Sequence, residues 1–159
     1  MYTALVVDDE QELRQAIIES VDWEKAGFRV VGDAGNGIDA LELAEKLEPD
    51  LILTDIKMPM MTGLELAKQV RELRPATQVV ILSGYDDFGY AKAAIEYNII
   101  GYLLKPISAA ELSAELENIR QKMDKYFAKM RGAESDELSA KRLEITEFLL
   151  PILLGNGED

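Results

Sequence analysis

Ala4-Leu5-Val6-Val7-Asp8-Asp9 is a short apolar run that ends in two acids. The same form returns at Leu51-Ile52-Leu53-Thr54-Asp55 and, with a base at its end, at Gly101-Tyr102-Leu103-Leu104-Lys105. Runs this short and this apolar read as strands covered on both faces. Adding two more of the kind gives five expected strands, at 3–7, 28–34, 51–54, 78–82 and 101–104. Amphipathic stretches separate them. Leu13, Ile17 and Val21 mark the first helical face, Leu41, Ala44 and Leu47 the second, and Leu66, Ala67, Val70 and Leu73 the third. Phe88, Ala91 and Ile95 mark a fourth, within 87–97. Glycines and prolines such as Gly27, Gly37, Pro49, Pro75 and Gly84 punctuate the joins. Successive β-α units of this kind predict an α/β fold, a doubly wound five-stranded parallel sheet with right-handed crossovers. Such sheets take ligands outside the carboxyl ends of their strands. Asp8, Asp9, Asp55, Ser83 and Lys105 all fall at those ends.

The chain has 159 residues, 48% of them hydrophobic, enough for one domain with a core and a short appendage. Its net charge of −13 is a poor match for nucleic acid or an anionic membrane. Neither cysteine nor histidine occurs. That excludes disulfides, thiolate nucleophiles and zinc–cysteine sites. It also excludes Ser-His-Asp and Cys-His mechanisms and histidine-ligated metals. No basic segment followed by an apolar one opens the chain, and no apolar run reaches membrane-spanning length. The expectation is a cytoplasmic protein with no membrane partner.

Taken singly, the end-of-strand residues have ordinary explanations. Asp8 and Asp9, with Glu10 and Glu12, suit the positive end of a helix. Asp55 suits a turn before Met58-Pro59. Lys105 reads as a solvated lysine, and Ser83-Gly84 as a strand-ending turn. Together, at the ends of four different strands, they suit a divalent-cation site with a phosphate as guest. Crowded carboxylates stay ionised together only with a cation among them. Magnesium takes oxygen ligands and keeps several waters. Asp9 and Asp55 would ligate Mg2+ directly, Asp8 through water, and the backbone carbonyl of Lys57 would complete the set. A carboxylate can itself be a nucleophile, so Asp55 is the expected site of an aspartyl phosphate. Such a transfer needs positioning and charge neutralisation more than covalent help. Lys105 would meet the phosphoryl oxygens as a point charge, and the Ser83 hydroxyl would donate to them.

The motifs Val6-Val7-Asp8-Asp9-Glu10, Thr54-Asp55-Ile56-Lys57-Met58-Pro59 with Gly63, Leu82-Ser83-Gly84-Tyr85 and Tyr102-Leu103-Leu104-Lys105-Pro106 resemble a response-regulator receiver domain of bacterial two-component signalling. The resemblance covers residues 1–130, in the family's order. It implies a flavodoxin- and receiver-like sheet, with Asp55 as phosphoacceptor for a sensor histidine kinase and Asp8, Asp9 and Asp55 as the magnesium pocket. It makes Ser83 the switch hydroxyl, Lys105 the phosphate contact and Tyr102 the aromatic switch. The stretches Asp22-Trp23-Glu24-Lys25-Ala26-Gly27-Phe28 and Ser83-Gly84-Tyr85-Asp86-Asp87-Phe88-Gly89-Tyr90-Ala91 resemble receivers of regulators with a C-terminal AraC-type DNA-binding region. Transcription control would then act on DNA through an output domain absent from this chain. Three rival readings fit these residues less well. A haloacid-dehalogenase-like phosphatase needs a second acid where Lys57 stands. A flavodoxin-like binding module needs a Ser/Thr/Gly-rich loop where Asp8-Asp9-Glu10 stands. A dead interaction domain would have lost an acid or the lysine.

Ser108-Ala109-Ala110-Glu111 is a capping box that opens a long C-terminal helix. Leu112, Leu116, Ile119, Met123, Phe127 and Met130 form its apolar stripe, and Gly132 is expected to end it. Residues 122–131 would run past the sheet and leave Met123, Phe127 and Met130 exposed. Residues 131–159 form a helical linker or tail, with a second face at Ile145, Phe148, Leu149, Ile152 and Leu153. Exposed stripes of this kind mark partner surfaces, and a homodimer through the helix and tail is the reading they favour.

Overall fold

Tyr2–Val7 forms β1, the strand that Asp8 and Asp9 follow. The computed structural model describes residues 1–84 and 99–148, with side chains as far as residue 132. The fourth amphipathic stretch and the tail face beyond Phe148 lie outside those residues. After β1 come α1 (Gln11–Ser20), α2 (Trp23–Ala26), β2 (Phe28–Ala34), α3 (Gly37–Leu47) and β3 (Leu51–Thr54). Then follow α4 (Gly63–Leu73), β4 (Gln78–Ser83), β5 (Gly101–Leu104) and α5 (Ala109–Phe148). The strands make one five-stranded sheet in the order β2-β1-β3-β4-β5. Every neighbouring pair is parallel.

The apolar strands are buried on both faces, as their composition requires. Leu5, Val7, Ile52, Val79 and Ile81 share one cluster with Ala40 and Ala44 of α3 and Leu66, Ala67 and Val70 of α4. The alternate residues Ala4, Val6, Leu51, Leu53, Val80 and Leu82 point to the other face and are equally buried. There Ile17 of α1, Leu82 of β4 and Leu112 of α5 line one cleft of about 370 Å³. Each fully buried Leu or Ile contributes about 1.5–3 kcal/mol of transfer free energy, so the two faces hold the sheet rigid under its loops.

The helices begin at caps that the sequence supplies. Asn36 accepts from the Asp39 amide at 2.8 Å, and Thr62 from the Glu65 amide at 3.1 Å. Ser108 and Glu111 form the reciprocal box, at 3.1 and 3.4 Å. Helix α2 is too short for its periodicity to be read in advance. Asp22 caps it, Trp23 and Ala26 are buried, and Gly27 closes it at φ 97°. The Trp23 ring stands edge-on to Phe28.

Two expectations about α5 are corrected. Gly132 does not end the helix, which runs on to Phe148. A glycine inside a helix costs about 1 kcal/mol relative to alanine, and the Ala, Glu, Lys and Leu residues that follow continue the helical preference. Met123 is not exposed but fully buried, while Met130 is 46% exposed. A helical side chain leans toward the turn before its own Cα, so burial does not follow from a count of Cα positions. The chain separates into two compact units, Met1–Arg120 and Gln121–Asp159, and α5 contributes to both.

Candidate functional site

The strand order places β1 and β3 side by side at the point where the winding reverses, which is where such sheets bind ligands. Val7 is in register with Thr54, so the acids that follow them leave the sheet at one level. The Asp55 amide donates to the Val7 carbonyl at 3.0 Å, carrying the ladder one residue further. On the other side of β3, Ser83 is in register with Leu104, and the Lys105 amide donates to the Ser83 carbonyl at 2.7 Å. The sheet therefore delivers two acids, a third acid, a hydroxyl and an ammonium to one edge.

Asp8, Asp9 and Asp55 offer carboxylate oxygens that all lie within 4.8 Å of one another. Lys105 Nζ stands 3.1 Å from Asp8 Oδ2 and 3.4 Å from Asp55 Oδ2. Asp8 is buried, Asp55 half-buried and Asp9 exposed. The Asp8 carboxylate also accepts the Glu10 amide at 2.9 Å. Helix α1 is capped at Glu10, whose side chain makes no capping bond, so neither Asp8 nor Asp9 serves as its N-cap. Asp55 Oδ1 accepts the Ile56 amide at 2.8 Å, which leaves Oδ2 facing Lys105.

Electrostatics follow from this crowding. Burial pushes the Asp55 carboxyl above its ordinary value, Lys105 opposes that rise, and the Asp8 charge adds to it. Burial alone would lower Lys105, but its bond to Asp8 and the charges of Asp8 and Asp55 outweigh burial and raise it. One ammonium cannot neutralise three carboxylates. The donor set, all carboxylate oxygen and no sulfur or imidazole, suits a hard divalent cation. Its chemistry also suits a phosphoryl guest, since a nucleophilic carboxylate, a cation site and a lysine share one edge.

Lys57, whose carbonyl the sequence offered to the metal, lies on the loop after β3, and its side chain is exposed. Ser83 is buried at the end of β4. Tyr102 is half-buried and packs against the α3–α4 cluster beside Ile99. Gly63 shapes the loop that carries Asp55. Its amide donates to the Ile56 carbonyl at 2.8 Å, and a Cβ at this position would fall 1.9 Å from the Asp55 carbonyl oxygen. Arg14 was not singled out in the sequence. Its Nη1 donates to the Asp8 carbonyl at 2.6 Å and its Nε to Asp33 Oδ2 at 2.6 Å. It follows Asp8 by six residues, a spacing that carries no motif, and nothing linear points to Asp33.

Residues 4–117 match the family model described as the response regulator receiver domain. The chain belongs to the response-regulator receiver family. This receiver is 40% identical over 119 residues to the transcriptional regulatory protein YesN of Bacillus subtilis (strain 168), covering 75% of this chain and 32% of YesN. It is 36% identical over 116 residues to the transcriptional regulatory protein HptR of Staphylococcus aureus (strain NCTC 8325 / PS 47), covering 73% of this chain and 45% of HptR. The chain thus spans less than half the length of either regulator. Among solved structures, it superposes on the REC domain of AraT, a response regulator from Geobacillus stearothermophilus, with a TM-score of 0.73 at 37% identity. That match covers 79% of this chain and 97% of the AraT domain. A two-component transcriptional regulator AraC from Clostridium phytofermentans ISDg gives the same TM-score at 36% identity, over 80% of this chain and 99% of that one. The receiver's five-stranded parallel sheet agrees with the sequence reading. Among its described residues, no helix is long and apolar enough to cross a membrane.

Proposed function

We propose that this receiver is a phosphorylation-dependent switch that takes a phosphoryl group on Asp55 from a sensor histidine kinase. The observation that supports this most strongly is Lys105 Nζ standing between Asp8 and Asp55, with Asp9 beside them. An Asp55 carboxylate oxygen attacks phosphorus, the phosphorus–nitrogen bond to the kinase imidazole breaks, and the imidazole leaves with a proton. Lys105 and the Ser83 hydroxyl meet the equatorial phosphoryl oxygens. Asp8, Asp9 and Asp55, with the Lys57 carbonyl, would hold Mg2+, which would neutralise carboxylate and phosphoryl charge. Magnesium-dependent self-phosphorylation and autodephosphorylation are the only chemistry assigned to the chain itself. The test is intact mass after incubation with acetyl phosphate. A gain of one phosphate with magnesium, and none with chelator, is expected; a gain that ignores chelator contradicts the reading.

The output reading rests on the same residues. Phosphorylation draws Ser83 toward the phosphoryl group and lets Tyr102 turn inward, a population shift between two packed states. Ser83→Ala should accept phosphate yet lose the response of the Tyr102 environment to beryllofluoride, read by tyrosine fluorescence. An unchanged response refutes the coupling. Residues 1–130 act as the receiver and 131–159 as a helical linker to an AraC-type DNA-binding region, through which transcription is controlled. Tyr126 and Met130, at 36% and 46% exposed, support a homodimer through α5 and the tail.

A further inference from the structure

We infer that Arg14 and Asp33 form a positioning clamp that sets the geometry of the metal pocket; this deepens the proposed reading and rests on it. The Asp8 carbonyl belongs to the peptide unit that joins Asp8 to Asp9. Arg14 Nη1 grips that oxygen at 2.6 Å. On the other side of the same residue, the Asp8 amide donates to the Ala34 carbonyl at 3.1 Å. Both peptide units of Asp8 are therefore tied, one to the end of β2 and one to the first helix. Arg14 Nε is in turn held by Asp33 Oδ2, a β2 residue, at 2.6 Å. The guanidinium spans helix, turn and strand as a rigid planar fork. Its grip fixes the plane from which the Asp8 carboxylate faces Lys105 and from which the Asp9 side chain departs.

Charge balance explains why the clamp is a pair. A free arginine beside a cation site would repel the cation. Asp33 neutralises it, so the pocket keeps its geometry without gaining a rival positive charge. The arginine side chain is 13% exposed and the aspartate 34%. A partly exposed pair of this kind adds little to overall stability. A lysine could keep the charge but could not hold a carboxylate and a carbonyl in one fixed plane. Gly35 leaves room for the fork: a Cβ there would lie 3.2 Å from Arg14 Nη1.

Magnesium titration by calorimetry of the unphosphorylated full chain tests the clamp, with metal-free thermal unfolding as control. Loss of groups that orient metal ligands typically weakens binding 10–100-fold. Arg14→Lys should bind magnesium about tenfold more weakly, at the lower edge of that range because the grip is on backbone. Asp33→Asn should lose as much, and part of its loss should return at high salt, because an unpaired guanidinium repels through a screened field. Gly35→Ala, which deletes no polar group, should lose a smaller factor and keeps the test alive if Arg14→Lys folds poorly. Metal-free midpoints should stay near the parent's. Binding within twofold of the parent in both Arg14→Lys and Gly35→Ala overturns the clamp. Asp9→Ala separates the two levels: if it too binds like the parent, the pocket assignment itself has failed, and if only it weakens, the clamp alone has failed.

Discussion

Asp55 sits where its charged form is disfavoured, so its carboxyl is raised above the ordinary value. Burial is the larger cause, the Asp8 charge adds to it, and Lys105 relieves it only in part. A carboxyl raised in the folded state stabilises the fold below its unfolded value, and that contribution is lost as pH rises through the raised value. Asp55→Asn removes the burden, so the metal-free variant should unfold at a higher temperature than the parent at pH 7. The gap should narrow as pH falls toward 4, where the parent's carboxyl also becomes neutral. Magnesium should narrow it from the other side, since the parent gains stability by binding, about 2.7 kcal/mol at a hundredfold excess over its dissociation constant. Lower stability of Asp55→Asn at pH 7 without metal would contradict this account. Lys105 runs the opposite way. Its raised value keeps its stabilising pairing through the neutral range, to be lost only as pH climbs past the ordinary lysine value. The acids and the lysine were legible in the sequence because buried strands announce where they end. Arg14 was not, because its two partners sit in the turn before it and in a different strand.

The loop between β3 and α4 is the element on which the position of Asp55 depends most. Gly63 folds back until its Cα side abuts the Asp55 carbonyl, which leaves no space for a methyl group. Gly63→Ala should therefore destabilise the protein by more than about 2 kcal/mol in chemical denaturation, since the obstacle is backbone and cannot swing away. Magnesium affinity should fall with it, as Asp55 is displaced. A variant of unchanged stability and affinity would show that the loop is free to relocate. Strand limits were readable to within a residue because apolar composition changes sharply at their ends. Helix limits were less so: α2 is a single capped turn, and α5 continues through Gly132 because one glycine is a weak stop against the helix formers around it. The face of α5 was also misjudged at Met123, whose burial depends on side-chain direction rather than on residue spacing.

At the scale of the whole molecule, a rigid five-stranded sheet gathers charge at one edge. The alternating units made the fold class plain in the sequence; the division at Arg120 was not, because the helix pattern runs through it unbroken. If α5 and the tail join two copies, sedimentation should show the full chain associating at high micromolar concentration while a chain ending at Met130 does not. Two monomers, with and without beryllofluoride, would exclude the dimer. Of three carboxylates within 4.8 Å, the proposed acceptor is one, Asp55. The most direct measurement is to phosphorylate the chain with magnesium and acetyl phosphate, reduce the acyl phosphate with borohydride, and map the altered residue by peptide mass spectrometry. The account predicts reduction at Asp55 alone, and none in Asp55→Asn. Reduction at Asp8 or Asp9, or an unchanged yield in the Asn variant, would contradict it.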